Sequence, residues 1–482
     1  MSQSRSFDVI VIGAGISGLA AAALLARSGR AVTVVDGAAP SPPPGAQALH
    51  ALDPALVKAL GLARHGLKFA VRDMPLVGLR ANGRHLVLTR DAQATALSLV
   101  GHSRADAEAW PRVHGEFYAL ARAMRSYWWG LGGGKTLARL QGKLEPFRRM
   151  GAAAWLDSRF ESEALKATLA FDAASGGLSP LEPGSALTLL WRAAQEMCGL
   201  QGASAMAAGG PRALVDLFAA AARDAGAELR TASPVACILA EGGKVAGVRL
   251  ATGEVLAAPR VLSCLSRRLT LCSLLSSGEA GFGEAARLER EVPRTGSARV
   301  TLTLGATPSI KGTSVLPTAR FVVAEKLESY VAADAAARVG RLADEIPAEF
   351  TIPTAADPSL APAGRHLVSV LLRPVPLLPP KGWAVLKPAL VEKVLGMLRH
   401  HLPDLARHVV ETDVTTPDDI LVRSGPADAA AGVTHLLADW DTRLGTPVEG
   451  LMLCGAAAEP VPAISGRAAR LAVEKIMRDA KR

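Results

Sequence analysis

The chain has 482 residues, 49% of them hydrophobic and 20% charged, with a mean hydropathy of +0.23. That length predicts two or three modules around a large core, and the apolar balance excludes wholesale disorder. The net charge of +10, from 54 Lys and Arg against 44 Asp and Glu, points to nucleic acid, an anionic membrane surface or an acidic ligand. Nucleic acid is the weakest of these and is set aside, because no basic run is interleaved with aromatics, which make up only 4% of the chain.

Residues 1–6 are polar and carry no apolar core of a secretory signal, and no apolar run reaches the roughly 18 residues a membrane span needs. A cytoplasmic location follows as the expectation, with peripheral membrane attachment left open. Cys198, Cys237, Cys264, Cys272 and Cys454 show no Cys-x-x-Cys pair, which argues for reduced, packed thiols.

The first strong signal is FDVIVIGAGISGLAAAALLARSGRAVTVVD, from Phe7 to Asp36. An apolar run at 9–12 meets a Gly-x-Gly-x-x-Gly turn, an Ala- and Leu-rich stretch reads as a helix to about residue 28, and 31–35 reads as a second strand. The acid Asp36 stands 23 positions after Gly13. In this strand–turn–helix context the motif is a dinucleotide fingerprint. Gly13 permits the tight turn, Gly15 lets backbone approach a pyrophosphate, Gly18 lets helix and strand pack closely, and Asp36 would accept from a ribose.

Residues 105–150 read as helical. Between 119 and 150 stand seven basic residues, Arg122, Arg125, Lys135, Arg139, Lys143, Arg148 and Arg149, against the single acid Glu145, beside Tyr127, Trp128 and Trp129. Two readings stay open: a segment lying on an anionic membrane surface, or a solvated helix face with its aromatics in the core. A helix at 212–225 and a strand at 227–230 follow, then a three-strand meander punctuated by Gly242-Gly243 and Thr252-Gly253. Further strands are expected at 299–304 and 367–372, a proline-rich connection at 374–380, a helix at 388–402, a buried strand at 449–455 and an amphipathic helix at 466–479. His400, His401 and His408 read as surface helix histidines, since no carboxylate or thiol is spaced to complete a metal site. No Gly-x-Ser-x-Gly elbow supports nucleophilic catalysis.

With these segments placed, the chain resembles the phytoene-desaturase-like FAD-dependent oxidoreductases over nearly its whole length. The likeness rests on the N-terminal motif, on GGPRALVDLFAAAARDAGAELRTASPVACILAEGGKVAGVRL, on DPSLAPAGRH (357–366), on TPDDI (416–420) and on GLMLCGAAAEPVPAISG (450–466). It implies an α/β fold: a discontinuous Rossmann-type FAD/NAD(P)-binding domain (1–84, 201–290, 411–482) with an inserted α+β substrate domain (85–200, 291–410). It also implies FAD as cofactor, with Gly13, Ala14, Gly15, Ile16, Ser17, Gly18 and Asp36 on the adenosine and diphosphate side. Val235 and Cys264 would lie near the adenine edge, and Gly455, Ala463, Ile464 and Ser465 would face the ribityl chain and flavin ring. The implied reaction is hydride abstraction from a hydrophobic small-molecule substrate, whose cavity or membrane contact Trp128, Trp129 and Trp191 would line. No catalytic acid or base is named, because the flavin carries that chemistry.

Two departures from the family stand out. After Asp36 the expected Arg-x-Gly-Gly doublet and the strand following it are replaced by a short proline stretch, Pro42 to Pro44, which offers no N–H. The glycine-rich C-terminal motif has become Pro460-Val-Pro-Ala-Ile-Ser-Gly466, which sets the side chains of Val461 and Pro462 where bare backbone is expected. These departures leave a second reading, a degenerate member that is a structural or heteromeric partner of an active paralogue and holds at most the ADP part of FAD. Homo- or hetero-oligomerisation is compatible with either.

Overall fold

The structure, a computed structural model, describes residues 5–38, 47–129, 134–174, 178–276, 278–290, 295–312, 317–424, 444–459, 461 and 463–480. Five short strands form a wholly parallel sheet: β1 (Val9–Ile12), β2 (Val32–Val35), β3 (Glu228–Arg230), β4 (Val261–Ser263) and β5 (Leu451–Leu453). Their order is β3-β2-β1-β4-β5, so the N-terminal, middle and C-terminal thirds of the chain are joined by backbone hydrogen bonding. Because both faces of β1 are covered, the strand is apolar without a break. Val9 and Val11 pack into the cluster formed with the helices α1 (Ile16–Arg27), α2 (Pro54–Leu60), α3 (Gly210–Asp224) and α4 (Arg467–Asp479). Ile10 and Ile12 point the other way, toward the antiparallel meander Val235–Glu241, Lys244–Leu250 and Val255–Ala257. The opening segments, the meander and the terminal helix match the expected βαβ opening, three-strand meander and helix at 466–479 closely.

A second sheet has seven strands, in the order Val409–Thr415, Thr295–Leu304, His366–Pro376, Ala348–Thr351, Arg320–Val323, Leu76–Leu79 and Leu86–Leu88. It therefore begins before residue 85 and continues past residue 410. The expected proline-rich connection starts later than the composition suggests, because the strand runs on to Pro376. Pro374 and Pro376 lie at its end, beside a register shift between Gly296 and Ala298, where a missing N–H is tolerated.

Helices Arg104–Trp128, Gly134–Arg149, Glu163–Ala173 and Ser185–Ala194 build a separate apolar cluster containing Trp110, Trp128, Trp129, Trp155 and Trp191. All five indoles are buried. Of the two readings of residues 119–150, the packing places the tryptophans in the core and leaves Arg122, Lys135, Arg139, Lys143 and Arg149 exposed. Among the described residues no helix is long and apolar enough to cross a membrane.

His401 is no surface histidine: it is 3% exposed and its ring stands 6.3 Å from that of His85. Burial, with the neighbouring His85, pushes its pKa down from 6.5 to about 4. The unfolded chain thus takes up the proton that the folded chain refuses, so stability contributed by neutral His401 is whole above about pH 6.5 and is lost as pH falls toward 4. We expect thermal melts to fall across that window and His401→Leu to flatten the slope. A slope identical to that of the parent chain would contradict the assignment.

Candidate active site

The turn between β1 and α1 is built by backbone contact. Gly13 adopts φ +100°, and a Cβ on Gly18 would lie 2.0 Å from the Gly13 carbonyl oxygen. Neither position tolerates a larger residue without moving the turn. Gly15, by contrast, faces open space, with nothing within 4 Å of an added Cβ. It is also the N-cap of α1, which has no side-chain cap, so the first-turn N–H groups are left for a ligand. An open cradle in front of unpaired amides suits a diphosphate. Ala14, Ile16 and Ser17 complete this turn, Ala14 and Ile16 with their side chains buried in the helix-side cluster.

Asp36 follows β2 and closes the turn: its Oδ2 accepts the Ala14 N–H at 2.6 Å and its Oδ1 the Ala38 N–H at 2.9 Å. One hydrogen bond on each oxygen leaves acceptor capacity for ribose hydroxyls. Val235 comes close because the Ser233 N–H donates to the Asp36 carbonyl and Pro234 packs on Gly37. Cys264 follows β4 and touches both Gly13 and Gly18; its Sγ lies 3.0 Å from that of Cys454, at the end of β5. Gly455 is next, where a Cβ would meet the Cys264 carbonyl at 2.2 Å. The predicted residues 13–18, 36, 235, 264 and 455 are thus gathered at one end of the parallel sheet.

Ala463, Ile464 and Ser465 lie on the loop entering α4, which buried charges hold in place. The Ser465 hydroxyl bonds Glu459, whose Oε2 stands 3.8 Å from Nη1 of Arg467, while Arg467 gives Nη2 to Gln195 at 2.8 Å. Burial pushes the Glu459 carboxyl up against the opposing pull of Arg467. The Ser465 carbonyl accepts from the N–H of Asp53, and Arg470 donates to the Asp53 carboxylate at 2.7 Å and to the Trp129 carbonyl at 2.8 Å. The side chain of Val461 is buried in the tryptophan-rich cluster. Pro42 to Pro44, Pro460 and Pro462 fall outside the described residues.

Residues 47–50 and the seven-stranded sheet border a cavity of about 70 Å³, lined by His50, Arg299, Arg320, Glu349, Thr351 and Arg373 among others. Arg320 gives one nitrogen to both Asp172, at 2.5 Å, and Glu349, and is 3% exposed. Arg192 donates to Ser204 at 2.5 Å, and Ser204 meets His50 Nδ1 at 3.1 Å. Burial, then Arg192 and Arg320, holds His50 well below its ordinary pKa, so it is neutral. None of these residues belongs to a sequence motif. The available signal was an arginine interrupting an apolar strand, as in SARVTLTL, ARFVV and VSVLLRPV. Among the described residues no group of His, Cys, Asp or Glu could hold a metal.

Gly18→Ala is expected to abolish dinucleotide retention through the clash with Gly13. Asp36→Ala, which removes charge-assisted hydrogen bonds, is expected to weaken it by about tenfold or more. Equilibrium dialysis measures both, and unchanged retention in Gly18→Ala would overturn the assignment of this turn.

The FAD dependent oxidoreductase model matches residues 8–266, and the flavin containing amine oxidoreductase model matches 144–459. The chain is 29% identical to the mouse pyridine nucleotide-disulfide oxidoreductase domain-containing protein 2, over 98% of this chain and 94% of that one. In fold it is similar to an oxidoreductase from Methanosarcina mazei, with a TM-score of 0.63 and 20% identity, covering 98% of this chain and 99% of that one. Cyclohexylamine oxidase from Brevibacterium oxydans superposes with a TM-score of 0.58 at 15% identity, covering 99% and 100% of the two chains. With a glycine turn, an acid and an open cradle that fit a dinucleotide, and with two family models that together run from residue 8 to 459, the chain belongs to the FAD-dependent oxidoreductases.

Proposed function

We propose that the chain is a working flavoenzyme that removes a hydride from a C–H bond of a small organic substrate held between residues 47–50 and the seven-stranded sheet. The observation that carries this reading is the cavity itself, which residues 47–50 border on one side and the seven-stranded sheet on the other. Bound FAD would supply the two-electron acceptor for that hydride. The chain's own residues do the rest. Gly15 and the first turn of α1 receive the diphosphate, and Asp36 takes the ribose. The clamp of Glu459, Arg467, Arg470 and Asp53 fixes 463–465 so that this loop need not be ordered at the moment of reaction.

The lining favours a substrate that is lipophilic in part only. Ala48 and Leu371 offer apolar contact, but most of the wall is polar or charged. Neutral His50, oriented through Ser204, enters as a hydrogen-bonding group that adds no charge. The exposed basic side chains of 119–150 are proposed to meet an anionic surface, either lipid headgroups or a partner chain, without help from the buried tryptophans.

Purified protein is expected to be yellow, to release FAD in stoichiometric amount on denaturation, and to lose its oxidised-flavin absorbance when a substrate is added without oxygen. A colourless protein that stays colourless after incubation with FAD would contradict this reading and favour the degenerate one.

A further inference from the structure

The inference below rests on the flavoenzyme reading and names the chemistry of what enters its cavity. The two carboxylates of the neighbourhood, Asp172 and Glu349, are both committed to Arg320. Arg373, on the strand His366–Pro376, is served differently. Its Nη2 donates to the Phe171 carbonyl at 2.7 Å, and its guanidinium lies 4.1 Å from the Phe171 ring centroid. Its Nε is buried without a hydrogen-bond partner, and among the described residues no carboxylate stands within 4 Å of it. A second donor on the same wall shares that condition: Thr351 is 4% exposed and its Oγ1 has no hydrogen-bond partner. Next to them Arg299 gives Nη1 to Ser369 at 2.5 Å.

Buried donors without acceptors, one of them charged, are costly unless something completes them. A ligand that completes these two must bring acceptor oxygens and one negative charge. A carboxylate does so: it is planar, its two oxygens fit a guanidinium fork, and its single charge matches that of Arg373. A phosphate would bring more charge than Arg373 balances. We propose that the cavity binds the carboxylate of an acidic substrate, with Arg373 as its charge partner and Thr351 as a flanking donor, while Ala48 and Leu371 meet the carbon skeleton. Burial disfavours the charged form of Arg373, and the more distant Glu349 and Asp172 only partly offset this, which is the state an incoming anion would relieve.

The test is calorimetric titration of the purified full chain with hexanoate, with hexanamide as the neutral match and inorganic phosphate as the other anion, the FAD content of each preparation being measured alongside. Hexanoate is expected to bind saturably, and hexanamide and phosphate about tenfold more weakly or worse. Arg373→Met is expected to lose that preference at unchanged FAD content, Arg373→Lys to keep part of it, and Thr351→Val to weaken hexanoate more than hexanamide. If Arg373→Met does not fold, the Lys and Val variants decide. Equal affinity for acid and amide, tighter binding of phosphate, or variants that bind hexanoate as the parent does would each overturn the proposal. Hexanoate binding by a chain without FAD would strike the flavoenzyme reading alone, and FAD without hexanoate binding would strike this one alone.

Discussion

The contact on which the site depends is the approach of Gly18 to the Gly13 carbonyl, in a space too small for a methyl group. It draws α1 against β1 and points the first turn of the helix at the end of the parallel sheet. The neighbouring strands continue the same construction. Cys264 lies against both glycines, and Gly455 lies against the Cys264 carbonyl, so three distant parts of the chain reach van der Waals contact in one row. Close backbone packing of this kind leaves no slack, which is why a cradle for a diphosphate can be rigid before any ligand arrives.

A different force holds the other half of the site. The loop 463–465 is fixed by charged groups taken out of water: Glu459 with Arg467, and Asp53 with Arg470. Such pairs add little net stability, but losing one partner leaves an uncompensated buried charge worth about 3–5 kcal/mol. The arrangement therefore specifies one position for the loop. It also ties α4 to Trp129 and Gln195, and through them the dinucleotide-binding part to the helical cluster. The cavity takes its positive charge from the arginines of the seven-stranded sheet, Arg299, Arg320 and Arg373.

What could be read from the sequence was local. The strand–turn–helix opening announces itself because glycine spacing, apolar runs and a terminal acid all fall within thirty residues. The motifs at 209–211 and 357–366 were visible as separate marks. Only the fold shows that they meet, with the Asp357 carboxylate accepting the Gly209 N–H at 2.6 Å. The seven-stranded sheet was hard to assemble because its neighbours are remote: Leu76–Leu79 pairs in parallel with Arg320–Val323. The same remoteness hid the charges of the cavity, since Asp172, Arg320, Glu349 and Arg373 come from four separate elements. His401 misled for a related reason, as a histidine just past a helix end reads as exposed until the remote His85 is brought to within 6.3 Å of its ring.

A working flavoenzyme holds the whole of FAD, the ring as well as the adenosine half. Titration of FAD-free protein with FAD and, separately, with ADP tests it directly. If the clamped loop and residues 47–50 engage the flavin, FAD binds about tenfold or more tightly than ADP. Equal affinities would contradict the account and show that only the adenosine half is recognised.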